Sequence, residues 1–342
     1  MHDVFIRRCL ELAERGRGSV GNGAMVGAVL VRSGRIVAET WHETFGKPHA
    51  ERMLLEDYRD AIEKADTLYI NLEPCCHHGK TPPCTDIIVG RGMRRVVYGM
   101  RDPDHRASGK GMAALRSAGI DIIGPVLPDL CQRFNRGFVS ARSMGRPWIT
   151  LKRAVTREGS FSASNRAPLK ITTHDQDVWS HTWLRSRHDA ILAGVGTILA
   201  DDPQLNTRFV QKIHQESGLN DHSTLKKYAP LRIVLDPKGR IPIDARVVND
   251  DSRSRTIVVM GQGSVEAQDK VSTLRKQDVR VLEIALSADG NFVWADLWTA
   301  LLLLDGGAKG ITSILVEGGA ETWRRFRESG NVDEEVTLVG QA

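Results

Sequence analysis

Two short segments constrain the fold of this chain more than any other feature. The first is Pro48-His49-Ala50-Glu51, and the second runs from Glu73-Pro74-Cys75 to Cys84. A catalytic zinc ion needs three protein ligands of nitrogen or thiolate type and a fourth position left open for water. His49, Cys75 and Cys84 supply such a set. We therefore expect the fold to bring these three side chains together.

Glu51 follows the histidine by two positions and is the predicted proton carrier. Its carboxylate can take a proton from a zinc-bound water and pass it to a leaving amine. An H-x-E motif followed by P-C-x-x-C is typical of zinc nucleobase deaminases, in which this glutamate is not a ligand. Here a longer insert, rich in His and Pro, separates the two cysteines. The alternative is a structural zinc site, with Cys76, His77 or His78 as the fourth ligand.

The length and composition bound the class of protein. A chain of 342 residues exceeds the ~250–300 residues at which one core usually stops growing, so we expect two domains. Hydrophobic residues at 41% and charged residues at 26% are ordinary globular values. A net charge of +5 fits an anionic small substrate as well as nucleic acid. Aromatic residues at 6% argue against base-stacking platforms, so nucleic acid is the less favoured partner.

The cysteines and the N-terminus indicate the compartment. Five cysteines, three of them beside histidines, argue for metal binding rather than a disulfide framework. The N-terminus lacks the basic start and apolar core of a signal peptide. No apolar run approaches the ~18 residues of a membrane helix. We expect a cytoplasmic protein.

Hydrophobic periodicity predicts an α/β fold throughout. In the first half, a strand at 67–72 delivers Glu73-Pro74-Cys75 at its end, a helix starts at about residue 49 and reaches about residue 64, and another helix starts at Cys84. This alternation predicts a sheet with helices on its faces. The other strands predicted in this half are 25–31, 35–38, 94–99 and 120–123, and the other helices are 3–15 and 108–118.

A segment that contains Gly and Pro, Met144-Gly145-Arg146-Pro147, separates the two halves of the chain. We therefore place the domains at 1–145 and 146–342.

In the second half, the loop Glu317-Gly318-Gly319-Ala320 lies between a strand and a helix, an arrangement suited to a dinucleotide phosphate. Residues 211–230 are polar and aperiodic and predict a surface loop. The strands predicted in the second half are 148–152, 190–193, 232–235, 256–260, 279–283 and 314–316.

The run from Leu72 to Cys84 resembles the signature of the bifunctional riboflavin-biosynthesis deaminase/reductase family. Gly194-Val195-Gly196-Thr197 and the run from Asp201 to Arg208 resemble the reductase half of that family. The resemblance implies a cytidine-deaminase-like three-layer α/β/α domain followed by a dihydrofolate-reductase-like α/β domain. It also implies zinc-dependent deamination of a phosphoribosylamino-diaminopyrimidinone, followed by NADPH-dependent reduction of its ribosyl group to ribityl.

The resemblance assigns roles to residues, most of which spacing alone would leave as solvated surface. It implies one zinc per chain on His49, Cys75 and Cys84, with Cys76 a spectator. The implied catalytic residues are Glu51, Lys152 and Asp201. The implied substrate contacts are His42, His77, Arg185, Leu205, Arg208 and Glu317, with the two arginines on the substrate phosphate. The implied NADPH contacts are Val155, Thr197, Asp201 and Gly319.

Several positions depart from the family pattern. Gly23 stands where the family has the asparagine that helps to hold the pyrimidine, and Lys170 stands where it has tryptophan. Cys76 replaces the serine that usually follows the first zinc cysteine. Family members usually continue for roughly another strand pair after the stretch at Glu334, so we expect an exposed sheet edge.

These departures keep alternatives open. One is a paralogue that deaminates a related pyrimidine or pteridine intermediate, and another is a zinc-binding pseudoenzyme that lends its fold to an assembly. A tRNA-editing deaminase is less favoured because it has no need of a second domain. For His42 the alternative is a surface histidine. The oligomeric state stays open, with a homo-oligomer as one option.

Overall fold

The structure, a computed structural model, describes residues 2–160, 171–208, 229–263 and 265–340. Lys170 and residues 211–228 of the predicted loop lie outside the described residues. The chain forms two compact units. The first comprises Met1–Arg146 and Leu302–Gly310, and the second comprises Pro147–Leu301 and Ile311–Ala342. None of the described helices is long and apolar enough to cross a membrane.

The first unit is built on one five-stranded sheet. Its strands are β1 (Gly27–Arg32), β2 (Arg35–Trp41), β3 (Thr67–Leu72), β4 (Arg95–Met100) and β5 (Asp121–Ile123). They lie in the order β2-β1-β3-β4-β5. β1 is antiparallel to β2 and β3, whereas β3, β4 and β5 are parallel. Ser33 and Gly34 both have positive φ, as a tight two-residue hairpin between β1 and β2 requires.

Helices cover the sheet of the first unit. Five of the six residues in each of β3 and β4 are buried, as expected for parallel strands covered on both faces. The predicted three-layer arrangement is therefore confirmed. The α-helices are α1 (His2–Ala13), α2 (Ala50–Asp57), α3 (Cys84–Gly90), α4 (Lys110–Ser117), α5 (Pro128–Phe134) and α6 (Arg136–Met144).

The helix that begins after His49 is shorter than predicted. It was expected to reach residue 64, but α2 ends at Asp57, and one 3-10 turn, Arg59–Ala61, follows. The apolar stripe explains the early end. Leu54 and Leu55 are fully buried, whereas Tyr58, one turn later, is 41% exposed and contributes little to holding a further turn on the sheet.

The second unit contains a seven-stranded sheet in the order β10-β9-β8-β7-β11-β6-β12, in which every neighbouring pair is parallel. All six strands predicted in this half are present. The strands are β6 (Trp148–Val155), β7 (Ala190–Gly194), β8 (Leu231–Asp236), β9 (Thr256–Gly261), β10 (Arg280–Ile284), β11 (Ser313–Glu317) and β12 (Glu334–Val339).

The carboxyl ends of β7 and β11 both lead directly into helices. β7 is followed by α8, whose first turn holds Thr197, and β11 is followed by α12, which Gly319 precedes. In a parallel sheet these ends lie along one edge, where ligands of α/β proteins usually bind. The α-helices in this part of the chain are α7 (His174–Trp179), α8 (Val195–Asp201), α9 (Arg246–Asn249), α10 (Val265–Lys276), α11 (Trp294–Leu302) and α12 (Ala320–Glu328).

The sequence analysis missed β12, which pairs with β6 along all six of its residues. Its side chains alternate between half-buried and exposed, and it begins with Glu334 and Glu335, so its apolar signal is weak. An edge strand with one solvated face needs no stronger pattern.

Candidate functional site

The three predicted zinc ligands meet in the first unit. Cys75 follows the carboxyl end of β3, Cys84 is the first residue of α3, and His49 precedes α2. Their ligand atoms lie within 4.8 Å of one another. The Nδ1 atom of His49 is 3.5 Å from the sulfur of Cys75 and 3.4 Å from that of Cys84. The spacing of the two motifs thus predicted a real cluster.

The electrostatics of the cluster suit a cation. The hydrogen bond from the Cys84 thiol lowers the pKa of Cys75, and the Cys84 N–H also donates to that sulfur at 3.3 Å. The same contact raises the pKa of Cys84, since two adjacent thiolates repel each other. A metal cation relieves that repulsion and holds both sulfurs as thiolates. Two sulfurs and one imidazole nitrogen fit the donor set of a zinc ion.

The structural-site alternative needed a fourth protein ligand. In the part of the chain that the structure describes, the group that could hold a metal consists of His49, Cys75 and Cys84 and does not include Cys76, His77 or His78. Three ligands leave one position open, which is the arrangement of a catalytic zinc site.

Glu51 lies in the first turn of α2 and is only 4% exposed. Burial raises the pKa of its carboxyl group. It lines the same cavity as His49 and Cys75, which has a volume of about 480 Å³. A buried carboxyl beside the ligands and facing a cavity is placed to exchange a proton with a bound molecule.

Both histidines predicted to contact substrate line this cavity. His42 is only 7% exposed, so the surface alternative for it was wrong. Its Nδ1 donates to the carbonyl oxygen of Pro48 at 3.1 Å, and its ring packs edge-on against that of His49. His77 is exposed at the cavity. Gly23, the departure from the family pattern, lines the cavity as well.

Glu73 received no role in the sequence analysis, yet it organises this site. It is 4% exposed and accepts hydrogen bonds from four backbone N–H groups, those of Asp102, Gly109, Gly111 and Met112. These bonds tie the start of α4 to the end of β3, just before Cys75. A Cβ atom on Gly111 would lie 2.1 Å from the carbonyl oxygen of Pro74, so glycine permits this approach. An acidic residue directly after an apolar strand was the available signal.

Other residues of the cavity wall were also missed. They include Gly306, which lies outside the range 1–145 predicted for the deaminase domain. The missed charged residues are Lys47, Lys80, Asp102, Asp104, Arg106 and Arg142.

In the second unit, the structure brings several predicted residues together at the ends of the parallel strands. Lys152 on β6 is paired in register with Glu317 on β11. The Arg185 guanidinium donates to both carboxylate oxygens of Glu317, at 2.5 to 3.2 Å. Burial acts to raise the pKa of Glu317, but the charges of Arg185 and Lys152 outweigh it and hold the pKa at about 2.

Arg185 has two further partners, one of which the sequence analysis missed. It donates to the carbonyl oxygen of Asn206 at 2.7 Å and to Nε2 of His181 at 3.0 Å. His181 is 3% exposed, and desolvation together with the Arg185 charge lowers its pKa to about 3. The spacing of four residues between His181 and Arg185 was a signal that could have found it.

The remaining predicted substrate residues differ in exposure. Arg208 is exposed and donates to the side-chain oxygen of Asn206 at 3.3 Å, and Arg185 donates to the backbone carbonyl oxygen of the same residue. Desolvation and then the charge of Arg185 lower the pKa of Arg208. The side chain of Leu205 belongs to the buried core, so a substrate contact at this position has to come from its backbone.

Two of the predicted cofactor residues, Thr197 and Gly319, contact each other. The N–H of Gly319 donates to the hydroxyl oxygen of Thr197 at 3.2 Å. Val155 is buried at the end of β6, where its carbonyl accepts from the N–H of Gly340. Asp201 is the exposed last residue of α8, and among the described residues no hydrogen bond or ion pair joins it to Lys152 or Glu317. The catalytic and cofactor roles of Asp201 therefore stay predictions.

The fold and ligand set of the first unit define a zinc-dependent deaminase of the cytidine deaminase class, followed by a second α/β unit. Comparison with family models agrees. The model for the cytidine and deoxycytidylate deaminase zinc-binding region matches residues 1–100, and the model for the RibD C-terminal domain matches residues 147–340.

Comparison with known proteins identifies the family. The chain is 35% identical to riboflavin biosynthesis protein RibD of Aquifex aeolicus, over 98% of this chain and 85% of that protein. A solved structure of Acinetobacter baumannii RibD matches with a TM-score of 0.79 at 29% identity, covering 100% of this chain and 87% of that one.

A second structure, the Thermotoga maritima diaminohydroxyphosphoribosylaminopyrimidine deaminase/5-amino-6-(5-phosphoribosylamino)uracil reductase, matches with a TM-score of 0.74 at 33% identity, covering 96% and 84%. The chain belongs to the RibD family of bifunctional deaminase/reductases of riboflavin biosynthesis. The family resemblance predicted from the sequence is confirmed.

Proposed function

We propose that this chain deaminates a phosphoribosylamino-diaminopyrimidinone by hydrolysis and then reduces the ribosyl group of the product to ribityl with NADPH. One observation carries the first step. Glu51, buried and beside three zinc-type ligands, lines a cavity of about 480 Å³. The activity after which the Thermotoga maritima relative is named supports the choice of substrate.

In the deamination, His49, Cys75 and Cys84 would hold the zinc ion. A bound zinc ion would act as a Lewis acid and lower the pKa of a water molecule. Glu51 accepts a proton from water and returns it to the departing amine. A C–O bond forms, the C–N bond breaks, and ammonia leaves with the protons that water and Glu51 provide. The buried position of Glu51 shields this transfer from bulk water.

The cavity wall also suits the phosphoribosyl part of the substrate. Lys47, Lys80, Arg106 and Arg142 line it, and ammonium and guanidinium groups bind phosphate. Arg106 is already paired with Asp104 at 2.7 Å, which leaves the lysines and Arg142 as the better candidates.

For the reduction, NADPH supplies a hydride when bound. Thr197 and Gly319, joined by a hydrogen bond beside the start of α12, are the proposed cofactor contacts. Lys152 and Glu317 are proposed to line the reaction site. Arg208 and Arg185, which both donate to Asn206, are proposed to bind the substrate phosphate, as the family resemblance implies.

The roles of Val155, Asp201 and Leu205 stay predictions, as do a single zinc per chain, a homo-oligomer and a cytoplasmic location. We also propose that the deaminase domain comprises Met1–Arg146 with Leu302–Gly310, and the reductase domain the rest of the chain.

The test is a direct assay of both steps. We expect purified protein to contain zinc, to release ammonia from the diaminopyrimidinone, and to give a ribityl product by mass once NADPH is added. Gly23 favours a second candidate, a paralogue for a related pyrimidine, because no side chain extends from this position of the wall. Ammonia from a related pyrimidine alone would support the paralogue. No ammonia from either would leave a zinc-binding pseudoenzyme.

A further inference from the structure

The segment Leu302–Gly310 belongs to the first unit, although it is far from the rest of that unit in sequence. Gly306, at its centre, lines the cavity that also holds His49 and Glu51. Asp305, Gly306 and Gly307 all have positive φ, so the segment makes a tight left-handed turn at this point.

This turn is bound to the loop at Asn22. The N–H of Asn22 donates to the carbonyl oxygen of Gly307 at 3.0 Å, and its side-chain amide donates to that of Leu302 at 3.1 Å. A Cβ atom on Gly21 would lie 2.2 Å from the carbonyl oxygen of Gly307. Two backbones therefore meet at a distance that only glycine allows.

The other end of the same loop is bound to the sheet and to the residue between α5 and α6. The carbonyl oxygen of Met25 accepts from the side chains of Asn71 and Asn135, and its N–H donates to Asn135. Gly23 and Ala24, which line the cavity, thus lie between two fixed points. One of these points is supplied by Leu302–Gly310.

We propose that Leu302–Gly310 is part of the deaminase substrate site. Gly306 forms a wall of the site, and the contacts of Asn22 hold Gly23 and Ala24 in position against the substrate. The inference rests on the proposed deaminase function and extends it, because it places a specificity-determining segment well beyond the N-terminal half of the chain.

The main test adds a side chain to the wall. Gly306 has φ +64° and a Cβ atom there would meet no described atom within 4 Å, so Gly306→Asn fits the backbone, because asparagine tolerates this conformation. Gly92→Asn is the matched control, since Gly92 has φ +69° and equal space, lies in the same unit and is outside the cavity wall. In the full-length chain we expect Gly306→Asn to lower kcat/KM for ammonia release by about tenfold to a hundredfold. Gly92→Asn should match the wild type.

A second variant tests the hydrogen bond between Asn22 and Leu302. Asn22→Asp keeps the size of the side chain but loses the N–H group that bonds to Leu302, and we expect a loss of about two- to tenfold in kcat/KM. Zinc content should stay unchanged in all three variants, and the thermal unfolding midpoints of Gly306→Asn and Gly92→Asn should agree with each other. If Gly306→Asn and Asn22→Asp have the same kcat/KM as Gly92→Asn and the wild type, the inference is overturned. The deaminase assignment would still stand in that case, because the wild type turns over. A wild-type chain that releases no ammonia would overturn the proposed function and this inference with it.

Discussion

Glu51 in the first unit and Glu317 in the second are both buried, yet their pKa values shift in opposite directions. Glu51 is 4% exposed and Glu317 is 9% exposed. Burial raises the pKa of Glu51, whereas Arg185 and Lys152 outweigh burial and lower the pKa of Glu317 to about 2. Burial alone therefore does not decide the pKa of a carboxyl group, because neighbouring cations can outweigh it. Glu51 suits proton transfer, and Glu317 suits a fixed negative charge.

The zinc ligands of the first site and the Arg185–Glu317 pair of the second also differ in how far their members lie apart in sequence. Cys84 and His49 are 35 positions apart, whereas Arg185 and Glu317 are 132 positions apart. The zinc ligands come from the end of one strand and the starts of two helices that pack on the same sheet. The second needs the register of parallel strands, so it can be disturbed by changes that leave the first intact. The following predictions test this independence.

The largest effect is expected from removing the metal ligands. Cys75→Ser combined with Cys84→Ser should abolish zinc binding, because serine hydroxyls are poor zinc ligands. Ammonia release should fall to background, while NADPH oxidation with deaminated substrate should continue. Metal analysis and both activity assays measure this. One tightly held zinc in the double variant would contradict the assignment.

Glu51→Gln should keep the zinc and the fold but lower the deamination rate by about 10²–10⁴-fold, because the amide cannot carry the proton. Its free energy of unfolding should change little, since glutamine has the shape of the neutral acid. Near-normal turnover would exclude Glu51 as the proton carrier.

Glu317→Ala should act mainly on stability. It leaves the mostly buried Arg185 guanidinium, 13% exposed, without its carboxylate, at a cost of ~3–5 kcal/mol in the free energy of unfolding of the second unit. Glu335→Ala is the control, because Glu335 pairs with Arg327 at the surface, where an ion pair contributes about 0–1 kcal/mol. Urea unfolding measures both. A cost for Glu317→Ala no larger than that of the control would contradict the buried pair.

The same variant predicts a pH dependence. The folded pKa of Glu317, about 2, lies below the unfolded value, which is about 4.3. Its stabilising contribution is complete above the unfolded pKa and is lost as the pH falls through the folded pKa. The gap between wild type and Glu317→Ala should therefore narrow as the pH is lowered from about 4.3 towards about 2. A gap that widens in acid would reverse the sign of the shift.

The smallest effect is expected at the proposed cofactor contact. Thr197→Val removes the oxygen that accepts from the Gly319 N–H and should weaken NADPH binding by about two- to tenfold, since one hydrogen bond contributes ~0.5–1.5 kcal/mol. Thr197→Ser retains the hydroxyl and should bind NADPH like the wild type. Fluorescence titration with NADPH separates the two. Equal affinity in both variants would remove Thr197 from the site.

The zinc site could be predicted because its ligands are chemically distinctive and its supporting strand has a clear apolar pattern. The predicted strand 67–72 coincides with β3 (Thr67–Leu72), and α3 begins at Cys84 as expected. The contacts of Glu73 could not be predicted, because they join β3 to a helix start whose position depends on the folded sheet. The ion pair between Arg185 and Glu317 could not be predicted either, because the two residues meet only in the folded second unit.

The turn at Gly306 also sets an order of events during synthesis. Chains emerge from the ribosome N-terminus first, and early segments begin to fold before later ones exist. Asn22 is made long before the carbonyl groups of Leu302 and Gly307 that accept its hydrogen bonds, because most of the second sheet lies between them in the chain. A nascent chain can therefore form the zinc cluster long before its pocket wall is complete, and we expect full deaminase turnover only once residue 310 has left the ribosome.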